Sequence, residues 1–172
     1  SAICPMTAEG EIDEAALAAH LTHVLGTDGV VGLLVNGHAG ENAALGEAEL
    51  AVVVRIARQA AGDKRVIAGI SAERAMAAAR MATDAAAAGA DALMIVPPYS
   101  WALGADDRVV EAHHRVVADA ADLPLFLFQG AVQAGRTAFG ETTLSRLLEI
   151  GSVVGIKEGS WETLAYERTR RL

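Results

Sequence analysis

The stretch Val153-Val154-Gly155-Ile156-Lys157-Glu158 sets a lysine directly after a short β-branched run. Side chains alternate along an extended strand, so Val153, Gly155 and Lys157 share one face and Val154 and Ile156 the other. The glycine is expected to leave open volume beside the amine, and a lysine with such room is suited to holding a substrate. The same pattern fits a solvated lysine at a strand end, because lysine is rarely buried. Other reactive or polar side chains recur after similar short apolar runs: Asn36-Gly37-His38, Ser71, Pro98-Tyr99 and Gln129. His38 is a candidate acid or base near neutral pH, or a histidine that hydrogen-bonds a neighbouring loop. Tyr99 supplies a hydroxyl or packs, and Gln129 is placed to contact a polar substrate.

Weaker constellations point elsewhere. His20 and His23 stand three apart on one helical segment, as do Glu111 and His114 on another. Helical neighbours of this kind can bind metal, yet no third ligand is positioned by the sequence, and solvated faces carry such pairs too. No metal site is therefore assigned. Cys4 is the only cysteine, which excludes an intrachain disulfide, and its apolar neighbours suggest a small buried residue.

The elements that must position these residues alternate regularly. Short apolar runs at 1–6, 30–36, 65–70, 91–98, 123–128 and 153–157 are separated by helical segments at 13–25, 46–60, 72–88, 106–121 and 142–150, with a last helix opening after Ser160. Ser71 and Ser160 stand where N-caps are expected, and Gly89 closes the third helix. Six strands, each followed by a helix, predict a parallel sheet. An open doubly wound sheet and a (β/α)8 barrel both satisfy that pattern. No G-x-G-x-x-G follows an early strand, and polar residues gather at the C-terminal strand ends, where barrel enzymes build their sites. The α/β fold expected is thus a (β/α)8 TIM barrel, of which residues 1–172 hold about the first six βα units as one partial domain. A whole barrel takes about 250 residues and eight strands. The chain is expected to be part of a longer one.

A 52% hydrophobic share over 172 residues supports one cored domain, and a net charge of −8 argues against a nucleic-acid or anionic-membrane partner. No signal peptide and no apolar run of about 20 residues is visible. The expected location is cytoplasmic.

Read in register, Gly32–Asn42 (GLLVNGHAGEN), Asp91–Ser100 (DALMIVPPYS), Leu123–Gln129 (LPLFLFQ) and Gly155–Glu158 (GIKE) resemble the dihydrodipicolinate synthase / N-acetylneuraminate lyase family, and PMTAEGEID at 5–13 fits its opening. The resemblance implies a (β/α)8 barrel, a homo-oligomer (dimer or homotetramer), and no metal or organic cofactor. It implies a class I lyase, aldolase or dehydratase acting on pyruvate or a related 2-keto acid, with Lys157 forming the Schiff base. Such an amine must be neutral to attack, so an apolar barrel interior is expected to depress its pKa.

The chain also departs from the family pattern. The usual G-T-T-G-E reads Gly37-His38-Ala39-Gly40-Glu41, so the family's paired hydroxyls, one in a proton relay and one at the substrate carboxylate, give way to an imidazole and a methyl. The backbone amides of 37–40 are still expected to hold a carboxylate as a nest, with His38 a replacement acid/base. Phe128 stands where the family carries a proton-shuttling tyrosine, and Ser100 replaces another, while Tyr99 is retained. Arg136 lies in the loop where relatives carry carboxylate-binding arginines. Glu158 is expected to point away from the interior into a structural ion pair. These losses keep open an alternative from another class, a homologue that binds a keto acid or sugar acid without turning it over.

Overall fold

A computed structural model describes residues 1–131 and 138–172. In chain order these form α1 (Glu14–Leu25), β1 (Gly32–Val35), α2 (Glu47–Ala61), β2 (Arg65–Ile70), α3 (Ala75–Ala87), β3 (Ala92–Ile95), α4 (Asp107–Ala120), β4 (Leu125–Gln129), α5 (Glu141–Leu148), β5 (Val153–Glu158) and α6 (Thr163–Arg171). Single 3-10 turns at His38–Gly40, Asn42–Ala44 and Tyr99–Leu103 follow β1 and β3. The strands form a parallel sheet in the order β1-β2-β3-β4-β5. The chain divides into two compact units, one of Ser1–Ile70 with Met81–Leu93 and one of Ser71–Arg80 with Met94–Leu172.

In the first unit, α1 buries Leu17, Leu21 and Leu25 and α2 buries Leu50, Val53, Val54 and Ala57, the spacing of one apolar helical face. Asp13 caps α1 by accepting the Ala16 N–H at 2.9 Å, and Glu49 reaches back to the Gly46 N–H at 2.7 Å to open α2. Gly89, at φ +100°, ends the turn after α3. Arg58 closes the same region, pairing with Asp91 at 2.8 Å. Burial alone would raise the Asp91 pKa, but the Val66 N–H and the guanidinium groups of Arg65 and Arg58 outweigh it and hold the carboxyl below its ordinary value.

The run at 1–6, expected as the first of six strands, does not form one. Ala2 donates one bond to Leu34 O at 2.9 Å, and Met6 pairs only with Ile12 in an isolated antiparallel bridge. Pro5 has no N–H to offer a ladder; its carbonyl accepts the Asp13 N–H at 3.0 Å instead. Ala2 and Cys4 are nevertheless buried, and burial, then the Glu41 and Glu49 carboxylates, push the Cys4 thiol pKa up.

In the second unit Trp101, Val110, Leu127, Phe139, Leu144, Leu147 and Ile150 make one core. His114 lies within it, with ring centroids 6.1 Å from Trp101, 5.7 Å from Phe139 and 6.0 Å from His113. Its Nδ1 bonds Val110 O at 2.8 Å, and burial pushes its pKa down to about 4. Glu111 turns instead to Arg115 and Arg146, at 3.0 and 3.5 Å. The Glu111/His114 pair is therefore no ligand set, and the described residues contain no group of three or more His, Cys, Asp or Glu that could hold a metal. Nor do they contain a helix long and apolar enough to cross a membrane.

Neither serine caps its helix. α3 begins at Ala75, four residues past Ser71. Ahead of α6, Trp161 takes a left-handed φ of 61°, which interrupts any helix starting at Ser160, and Glu162 becomes the N-cap.

Candidate active site

Strands β4 and β5 run in parallel with Phe126 opposite Gly155, Phe128 opposite Lys157 and Gln129 opposite Glu158. Leu125, Leu127 and Gln129 are buried on one face of β4, and Leu127 belongs to the helix-packed core. Phe126 and Phe128 alternate onto the other face, which Lys157 shares. The Lys157 Nζ lies 5.1 Å from the centroid of the Phe128 ring, within cation–π range. It opens onto a cleft of about 600 Å³ that Phe128, Gly159, Trp161, Glu162 and Tyr166 help to line.

The space beside Gly155 is not open. A Cβ there would lie 2.8 Å from Phe126 Cε1, so the glycine makes way for an aromatic ring and not for a substrate. The apolar enclosure expected around the amine is likewise not formed by the described residues, among which Lys157 is exposed. Glu158 alternates with Lys157 along β5 and also helps line the cleft, and its Oε1 accepts the Ser160 N–H at 2.9 Å. Its Oε2 is buried with no hydrogen-bond partner among the described residues, in place of the expected ion pair.

Gln129 is turned from the cleft. It is fully buried, its Nε2 donates to Phe139 O at 3.0 Å and its Oε1 accepts the Phe139 N–H at 2.8 Å. The amide expected to meet substrate is thus already paired with main chain, because Gln129 shares the buried face of β4 with Leu125 and Leu127. Tyr99 leaves half its side chain exposed at the head of its 3-10 turn. The Glu73 carboxylate holds that turn by accepting the Tyr99 N–H at 2.9 Å and the Ser100 N–H at 3.3 Å. Arg136 lies outside the described residues.

The loop after β1 belongs to the other unit and has its own geometry. Asn36 sits at φ 56°, a conformation asparagine tolerates better than most residues, and its Nδ2 donates to Leu50 O at 2.9 Å. Gly69 permits this, since a Cβ there would come 2.2 Å from Asn36 O. Gly37 and Gly40 are buried, whereas His38 and Ala39 are exposed on the 3-10 turn. The Gly40 N–H donates to Gly37 O and the Glu41 N–H to His38 O, at 2.9 and 3.1 Å. A carboxylate nest at 37–40 would therefore have to use the amides that precede Gly40. Glu41, at φ 53°, joins this turn to the next.

Sequence reasoning found Lys157 and Phe128, which the structure brings together, but missed Glu73, Trp161 and Tyr166. The left-handed Trp161 has no local signal, and Glu73 acts on amides 26 and 27 residues away.

The model of the dihydrodipicolinate synthetase family matches residues 1–172. The chain belongs to that family. It is 35% identical over 161 residues to 4-hydroxy-tetrahydrodipicolinate synthase of Synechococcus sp. (strain CC9311), covering 92% of this chain and 52% of the relative. The corresponding synthase 1 of Streptomyces coelicolor is 32% identical over 167 residues, 96% of this chain and 53% of its own. The chain thus spans about half the length of the curated relatives it matches. Among solved structures of the dihydrodipicolinate synthase fold, DHDPS from Cyanidioschyzon merolae with lysine bound superposes with a TM-score of 0.83 at 30% identity, over 98% of this chain and 57% of that one. The E. coli K12 prophage protein YagE, solved in complex with pyruvate, gives 0.88 at 25% identity over 98% and 56%.

Proposed function

We propose that this chain supplies the Schiff-base lysine of a class I lyase, aldolase or dehydratase acting on pyruvate or a related 2-keto acid. The observation that carries the reading is Lys157 at the C-terminal end of β5, its amine over a cleft, in a chain matched by the family from end to end. The neutral Nζ attacks the keto carbon, a C–N bond forms, and the carbonyl π pair goes to oxygen. Proton transfer from nitrogen to oxygen gives a carbinolamine. Protonation of its hydroxyl and loss of water leave the iminium. That cation draws electrons from C3, so a C3 proton or substituent leaves and the enamine adds to, or is released from, a second carbon centre. No metal is needed for these steps, and the cofactor is the lysine itself.

Phe128 contributes packing against the amine and no proton. His38, on the loop of the first unit, is the proposed acid/base, and the amides at 37–39 the proposed carboxylate holders, with Tyr99 a contributor at the substrate's rim. In this reading the chain is the first part of a (β/α)8 barrel in a homo-oligomer, and its partner is a small keto acid.

The test is borohydride reduction of the protein in the presence of pyruvate and related keto acids, followed by peptide mass mapping. The chain has two lysines, Lys64 and Lys157, so assignment is direct. A reduced adduct on Lys157, absent from Lys157→Ala while that variant stays folded, is the expected result. Thermal stabilisation by a keto acid with no adduct from any of them would replace the enzyme with a binding homologue.

A further inference from the structure

Gln129 does more at the end of β4 than fill a buried position. Both polar atoms of its amide bond the main chain of Phe139, ten residues on, so they tie the two ends of the β4–α5 connection together. Its own carbonyl accepts the Gly159 N–H at 2.9 Å, which fastens the exit of β5 to the same residue. Gly159 fits only because it lacks a side chain: a Cβ would lie 2.9 Å from Gln129 O and 3.2 Å from Phe128 Cε2. Arg168 of α6 adds a long contact to Phe139 O at 3.4 Å. The approach to α5 and the exit of β5 therefore both meet Gln129, whose neighbour in the chain, Phe128, faces the Lys157 amine.

We propose that Gln129 is a positioning residue for Lys157: its paired amide and carbonyl fix the backbone that presents the Phe128 ring to the Nζ. This rests on the reading of Lys157 as the reacting amine, but it can be measured apart from that reaction. With the tie intact, the ring lies 5.1 Å from the Nζ and covers one side of the amine. With the tie broken, Phe128 turns away, the amine loses its contact with the ring, and its attack on a simple acylating reagent speeds up.

The experiment is competitive labelling of the full chain with trace acetic anhydride, reading the ratio of Lys157 to Lys64 by mass spectrometry. Lys64 is an internal standard, its Nζ bonded to Leu25 O in the first unit. In Gln129→Leu the ratio is expected to rise about two- to five-fold over wild type, the span of an exposed cation–π contact. In Gln129→Glu the ionised carboxylate cannot donate to Phe139 O, so the ratio is raised at pH 8. Near pH 5, as the buried acid takes up a proton and donates again, the ratio returns towards the wild-type value at that pH. A near-UV spectrum like wild type shows that each variant is folded. A folded Gln129→Leu with an unchanged ratio overturns the proposal, leaving Gln129 a structural tie. If Gln129→Leu does not fold, Gln129→Glu decides alone, and a ratio equal to wild type at both pH values overturns it. Absence of a pyruvate adduct from wild type would defeat the Schiff-base reading while leaving the labelling ratios to judge Gln129.

Discussion

At the scale of single residues, the site is defined by what Phe128 lacks. A phenol in that ring's place would sit beside the amine, able to hand a proton to the carbinolamine hydroxyl and take it back. Phe128→Tyr is therefore expected to accelerate imine formation about tenfold or more, towards the 10² to 10⁴ range of positioned acid–base groups, as read by stopped-flow trapping with pyruvate. A rate equal to wild type would mean the proton already travels by another route. That route, in the proposed mechanism, is His38, so His38→Ala should lower turnover about 10²-fold while leaving the Lys157 adduct detectable. Lys157 and Phe128 were legible from the sequence because a two-residue period and a local motif carry them. Gly155 was legible only in part: the pattern showed that volume was spared there, but the ring that takes it, Phe126, belongs to the neighbouring strand. Nothing local announces the bonds of Gln129 or Glu73, whose partners lie 10 and 26 residues away.

At the scale of elements, the helices follow closely from apolar spacing, and the errors fall at their starts. Caps are decided by one or two dihedrals, and Trp161 at φ 61° moves the α6 start by itself. The first run failed as a strand for a similar reason, Pro5 interrupting the donors of a six-residue stretch. Behind the site, Leu127 of β4 shares a core with Leu144 and Leu147 of α5. Leu144, fully buried in that core, should cost about 2–5 kcal/mol on replacement by alanine, measured by urea unfolding. At the turn leaving β5, Gly159→Ala would press a methyl on Gln129 O and Phe128. It should destabilise by about 1–3 kcal/mol and disturb Lys157 labelling as well.

At the scale of the molecule, acid acts on the two units in different pH ranges. His114 has a folded pKa of about 4 against an ordinary 6.5, so the unfolded chain binds its proton first as pH falls. Its stabilising contribution is complete above about pH 6.5 and is lost progressively down to about pH 4, amounting to about 3 kcal/mol from the second unit. Asp91 in the first unit, also lowered, contributes above the ordinary carboxylate pKa of 3.8 and loses that contribution only below it. Urea titrations at pH 7 and pH 4.5 should therefore differ for the second unit, and His114→Phe should flatten the difference. Equal midpoints at the two pH values would show that the cage around His114 opens at little cost. How to watch this follows from where the aromatic side chains fall. Every Phe, Tyr and Trp of the chain lies in Met94–Leu172, within the second unit, and none in the first. Tryptophan emission and near-UV dichroism thus report on the Lys157 half alone, with Trp101 in its core and Trp161 on its surface as separate reporters. The half that carries His38 is optically silent, so a tryptophan placed on an exposed position of α1, such as Ala19, would let both halves be followed in one titration.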